Sequence, residues 1–193
     1  MINLGQVKNT NQKVYPQVGI FETEILGFEL GESKSGERVI VGKFLQIDTE
    51  GEHIEQFPTS EEIKPGKEYS PLDLTLSKLQ HIARACIGKA ADNLSGEDLE
   101  SFVNNLNKAL AGKVYRQKYV GEEKKSSKGN IFIITRIPLE KPMAESLDVP
   151  KEVSKLIFNP NNPKDLKKYE EPKLDIPATK IPTPKINTPK APF

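Results

Sequence analysis

Residues 113–136 hold seven cations, Lys113, Arg116, Lys118, Lys124, Lys125, Lys128 and Arg136, against two acids, Glu122 and Glu123, so the stretch carries +5. Tyr115, Tyr119 and Phe132 are interleaved with these charges. Such a mixture suits single-stranded nucleic acid. Cations follow the phosphates, and flat rings accept any base by stacking, worth about 1–3 kcal/mol per base. Arg38, Lys43 and Phe44 on an earlier strand, with Lys34 in the turn before it, can extend the contact. Strand alternation sets a competing reading. It puts Tyr115 and Tyr119 on one face of their strand and Arg116 and Lys118 on the other, so one of the two sets is free to be core. For Tyr115, Tyr119 and Phe132, base stacking and core packing both stay open.

Little else in the chain is reactive. His53 and His81 have no second ligand at metal spacing, and Cys86 falls on an apolar helical stripe, where a packed thiol is expected. The single Cys excludes an internal disulfide and a multi-Cys zinc site. Gly31 and Gly36 bracket a glycine-rich turn, but Glu37-Arg38 and a strand follow it instead of Lys-Ser/Thr and a helix, so it is no phosphate loop. No catalytic residue, metal or cofactor is expected, and the chain reads as a non-enzyme.

The elements that must position the basic stretch follow from patterning. Val18–Leu30 and Arg38–Asp48 are rich in strand formers, each with an internal glycine (Gly27, Gly42) that suggests a bulge or bend, and Glu52–Phe57 is a weaker third strand. Ser70, Pro71 and Asp73 read as the capped start of a helix with an apolar stripe of Leu72, Leu76, Leu79, Ala83 and Cys86. A second helix is expected from Ser95, its stripe Leu99, Phe102, Val103, Leu106 and Leu110, ending at Gly112. Strands at 113–120 and 130–137 flank a charged loop, 121–129. The order β-β-β-α-α-β-β, with glycines in the first two strands, predicts a mainly β fold with a helical insert, a five-stranded OB-fold-like barrel.

Composition shifts after Phe158. Residues 159–193 hold eight of the fifteen prolines, and Ile176, Ile181 and Ile186 recur with Lys180, Lys185 and Lys190 in a loose five-residue repeat. The expected division is a flexible arm at 1–13, the nucleic-acid-binding domain at 14–140, a peripheral segment with a short helix at 141–158, and a disordered Pro/Lys-rich tail at 159–193. No run approaches the ~20 apolar residues of a membrane helix, and residues 1–15 lack the apolar core of a signal peptide, so a cytoplasmic protein without membrane contact is expected. The net charge of +1 divides unevenly: −2 over residues 1–158 and +3 over the tail.

The Lys-Ser-Gly-Glu-Arg turn at 34–38, the strand RVIVGKFLQID, the helical middle and Leu110-Ala-Gly-Lys-Val-Tyr115 followed by a Lys-rich loop resemble phage-type single-stranded-DNA-binding proteins with an OB-fold. The resemblance covers roughly residues 14–138. It implies coating of single-stranded DNA in replication, recombination or repair, in the host cytoplasm if the chain is of phage origin. It also implies a tail that recruits replication or recombination proteins. The tip Pro192-Phe193 is similar to that of bacterial members, whereas the tail's +3 departs from their acidic tails. A homo-oligomer is compatible with these features. The competing expectation is a phage structural or adaptor protein that uses the same scaffold and the Pro-rich tail for protein contacts.

Overall fold

The computed structural model describes residues 14–171. The expected arm at 1–13 and residues 172–193, including Pro192 and Phe193, lie outside the described residues. The chain forms β1 (Gly19–Glu32), β2 (Arg38–Gln46), β3 (Gly51–Pro58), α1 (Pro71–Ile87), α2 (Leu99–Leu110), β4 (Val114–Lys125), β5 (Ile131–Arg136), β6 (Ala144–Glu145) and β7 (Leu166–Lys167). The strands make a 7-stranded sheet whose main path runs β3-β2-β1-β4-β5, with β6 and β7 both paired to β4. Every pairing is antiparallel except that of β7, which runs parallel to β4. The expected mainly β fold with a helical insert is therefore present, with two short strands more than the sequence suggested. The sheet is not closed: β3 and β5, at its two ends, share no ladder.

Gly27 marks the expected bulge. The β1–β2 register shifts between Ile25 and Gly27, whose φ of 149° is one that side-chain-bearing residues rarely adopt. Asn107 of α2 closes the irregularity. Its Oδ1 accepts from the Phe28 N–H at 2.7 Å and its Nδ2 donates to the Phe28 carbonyl at 2.6 Å. Gly42 serves packing: a Cβ there would lie 2.8 Å from the Phe44 ring and 2.9 Å from that of Phe57.

The helices cover one face of the sheet. Ser70 caps α1 through a capping box with Asp73, as expected. The buried side of α1 is Thr75, Leu79, Ile82, Ala83 and Ala85, rotated from the expected stripe, and Leu76 faces outward. Polar anchors set that rotation: Thr75 Oγ1 donates to the Pro58 carbonyl at 2.8 Å, and Lys78 Nζ reaches Glu55 at 3.1 Å. Helix α2 starts at Leu99 instead of near Ser95, because the capping box is made by Asp98 and Ser101. The core gathers Ile25, Phe28, Ile40, Phe44, Phe57, Leu79, Ile82, Leu106, Leu110, Tyr115 and Tyr119 between sheet and helices.

The supposed tail does not begin at 159. Asp165 binds the Asn159 N–H at 2.7 Å through its side chain and the Gly121 N–H at 2.9 Å through its carbonyl, and Leu166 is buried. Residues 159–171 thus pack along β4. The peripheral segment at 141–158 contributes β6 and a single 3-10 turn at Lys151–Val153.

Candidate nucleic-acid interface

The hairpin of β4 and β5 is longer than expected. β4 continues to Lys125, so residues 121–125, expected as loop, are paired with β5, and only the tip at 126–130 turns. The tip closes through Ser126 N–H to the Asn130 carbonyl at 2.8 Å and Gly129 N–H to the Ser126 carbonyl at 2.9 Å. In this register Lys124 stands opposite Phe132, Glu122 opposite Ile134 and Val120 opposite Arg136. Residues directly opposite share a face, so Phe132 and Lys124 lie on the same face of the hairpin, where the Lys124 ammonium is bonded to Glu122. Phe132 is 47% exposed, and Lys128 projects at the tip.

Three aromatics from the expected set are core. Tyr115, Tyr119 and Phe44 are fully buried and cannot stack on bases. The Tyr115 hydroxyl bonds Gln117 Oε1 at 2.9 Å, and that of Tyr119 bonds Thr23 Oγ1 at 3.3 Å. Burial pushes both phenols up from their ordinary range. Phe44 sits edge-on to Phe28 and Phe57, with ring centroids 5.9 and 6.5 Å away. For the two tyrosines the inward parity of 115, 117 and 119 on β4 decides this, and it settles which face of that strand is core.

The cations separate into paired and open ones. Arg116 is buried against Glu145 Oε2 at 3.2 Å, and Lys118 pairs with the buried Asp165. Both belong to the seam that holds residues 143–167 on β4, not to an open surface. Lys43 pairs with Glu29 at 2.9 Å, Lys124 with Glu122 at 2.9 Å, and Lys125 with Glu171 at 3.1 Å. Lys34, Arg38, Lys113, Lys128 and Arg136 are exposed and have no ion pair within 4.0 Å among the described residues. Lys34 and Arg38 lie in and just after the β1–β2 turn, and Lys113 lies just before β4, away from the hairpin tip. Arg136 borders a cavity of about 320 Å³ whose other charges are matched: Lys78 with Glu55, Lys118 with Asp165 and Lys164 with Glu140.

The docked segment changes the hairpin's charge. Lys167 bonds Glu122 at 3.1 Å and Lys168 bonds Glu123 at 3.0 Å, so the two acids of the basic stretch are both engaged. For Glu122 the Lys124 and Lys167 hydrogen bonds hold the carboxyl below its usual range, and for Glu123 the Tyr169 N–H and Lys168 do so. Two further features were missed from the sequence. Tyr169 lies under Lys125, 5.6 Å from ammonium to ring centroid. Tyr15, Pro16, Gln17 and Val18 run beside Ile131–Ile134 and form with them a groove of about 840 Å³. The signal for that groove was four consecutive large apolar residues, which read equally well as a core strand. All four are exposed.

No protein-family model matches the chain, and no curated protein is significantly similar to it. Among the described residues no cluster of three His, Cys, Asp or Glu could hold a metal ion. Among them, too, no helix is long and apolar enough to cross a membrane.

Proposed function

We propose that the chain is a non-enzymatic, phage-type single-stranded-DNA-binding protein built on an open OB-like sheet. The observation that carries this reading is the half-exposed Phe132 ring on the β4–β5 hairpin, on the same face as Lys124 and Arg136. Lys128 at the tip and Arg136 at the base are exposed cations with no ion pair among the described residues. A ring for a base next to ammonium and guanidinium groups for phosphates is the minimal unit of sequence-tolerant single-strand binding. Support also comes from the strand path β3-β2-β1-β4-β5 with both helices between β3 and β4, the path of a five-stranded OB barrel opened between its third and fifth strands. Lys34 in the β1–β2 turn and Arg38 at the start of β2 would give a second phosphate contact. In this reading the protein coats displaced strands during replication, recombination or repair in the cytoplasm, and Pro192 and Phe193 engage partner enzymes.

Titration of the full chain with a fluorescent oligo-dT at two salt concentrations tests the proposal. Binding that weakens steeply with salt is expected. No binding at low salt ends it. A second reading, a phage adaptor that works through protein contacts, is favoured by the exposed run Ile131–Ile134, since apolar side chains there serve a protein surface as well as a base.

A further inference from the structure

Helix α1 carries more apolar residues than the core uses. Leu76, expected inside, turns outward with the helix and is 40% exposed, and Leu72 is only half-buried. With Leu94, Leu99 and Phe102 they line two adjoining hollows of about 370 and 400 Å³ between α1 and α2, which share Leu76, Leu94 and Phe102 as walls. The charged residues on these walls are Glu61, Asp92 and Asp98, and no Lys or Arg lines either hollow. Asp92 is engaged by Arg84 at 2.8 Å, and Asp98 caps α2 through the Ser101 N–H at 2.7 Å and feels the charge of Arg38, whereas Glu61 makes no ion pair among the described residues. The groove is thus apolar at its floor, with carboxylates and no cation on its walls and Glu61 as the one unmatched charge among them.

We propose that this groove is the docking site of the chain's own C-terminal repeat rich in Ile, Pro and Lys, centred on Ile186. Charge and composition complement each other. Residues 172–193 hold four Lys against one Asp, hence +3, with Ile176, Ile181 and Ile186 spaced between the lysines. The prolines choose the kind of site. Pro177, Pro182, Pro184 and Pro189 lack the N–H that a sheet edge requires, so the repeat is a poor addition to the open edge of β5, while a groove of side chains asks for no backbone bonds. The reach is sufficient. Glu171 lies beside Lys125 at the hairpin. At about 3.1 Å per residue, Ile186 can lie ~45 Å beyond it, more than the diameter of roughly 40 Å for a domain of this size.

The test uses the full chain with a photo-reactive benzoylphenylalanine in place of Ile186. Irradiation is expected to give a monomeric product cross-linked within residues 72–102, read by mass spectrometry. Glu61→Lys, at an exposed side chain without a partner, should lower that yield several-fold at low salt and leave the melting curve unchanged. Leu76→Asp should do the same. Cross-links spread over the surface, mapped to the β4–β5 hairpin or confined to a covalent dimer overturn the proposal, as does a yield that neither variant changes. The readout is independent of oligo-dT binding, so either reading can fail alone.

Discussion

The carboxylate of Glu55 accepts a hydrogen bond from the Ile137 N–H at 3.1 Å. This side chain spans the gap that no ladder closes, between β3 and the end of β5. The same group bonds His53 Nε2 at 3.0 Å and Lys78 Nζ at 3.1 Å, and Lys78 donates to the Ile137 carbonyl at 2.9 Å. A carboxylate and an ammonium thus stand in for the missing strand pairing.

Burial alone would raise the Glu55 carboxyl. The hydrogen bond from His53, the charge of Lys78 and the Ile137 N–H outweigh it and leave the group below its ordinary value of 4.5. A depressed folded-state value contributes stability above the unfolded value, and that contribution is lost as pH falls through the folded one. Glu55→Gln is therefore expected to cost about 2–3 kcal/mol at neutral pH. Its gap from the parent should narrow as pH falls below 4.5. Urea melts at neutral and acid pH read the difference. A gap of constant size would place the stabilisation elsewhere.

Phe132→Ala should weaken oligo-dT binding roughly 5- to 150-fold, the worth of one stacked base. It should not lower stability, because the ring is half in solvent. Tyr115→Phe should do the reverse. It removes a buried hydroxyl that bonds Gln117 Oε1 at 2.9 Å, at a cost of about 1 kcal/mol, and leaves DNA binding unchanged. Paired titrations and thermal melts of the two variants check both. Equal DNA-binding losses would mean that the hairpin ring is not a stacking platform.

Patterning was enough for the order of the main strands and helices, the capping of α1 and the bulge at Gly27, because each rests on local chemistry. Alternation also divided β4 correctly into two faces, but not which one is core: that depends on what covers Arg116 and Lys118, and Glu145 and Asp165 come from 29 and 47 positions away. The rotation of α1 was hidden for the same reason, since Thr75 and Lys78 answer to β3 and Ile137. Proline density misplaced the tail because composition does not show that Asp165 and Leu166 fit against β4. The Asn107 clamp had no signal at all. An Asn inside a helix is ordinary until the bulge it closes is known.

Asn107→Ala should then be costly. It strands the N–H and carbonyl of Phe28 at once, both bonded to the Asn107 side chain within 2.7 Å. A loss of about 2–4 kcal/mol is expected from leaving two partly buried backbone groups unsatisfied. Equilibrium denaturation measures it, and Asn107→Asp, which keeps the acceptor and loses the donor, should fall between the two. A loss under 1 kcal/mol for the alanine variant would show that water replaces both bonds.

Cys86 packs beside the core, and burial pushes its thiol up to about 12, with only a small opposing pull from Lys113. Little thiolate exists at neutral pH, and access is poor. Reaction with a maleimide should be slow in the native protein and fast in denaturant. Native labelling at the denatured rate would mean that the packing around α1 opens readily.

The boundary of the folded unit gives the last prediction. A chain ending at Phe158 loses Asp165, which pairs with Lys118, and Leu166, which is buried. Lys118 is then left largely desolvated without its partner, and burial of a leucine side chain worth about 1.5–3 kcal/mol is forfeited. The Gly121 N–H also loses the Asp165 carbonyl, at 2.9 Å. A chain ending at Glu171 keeps all three contacts. The shorter chain should melt well below the full protein and the longer one within a few degrees of it. Coincident melts of all three would put the edge of the domain back at Phe158.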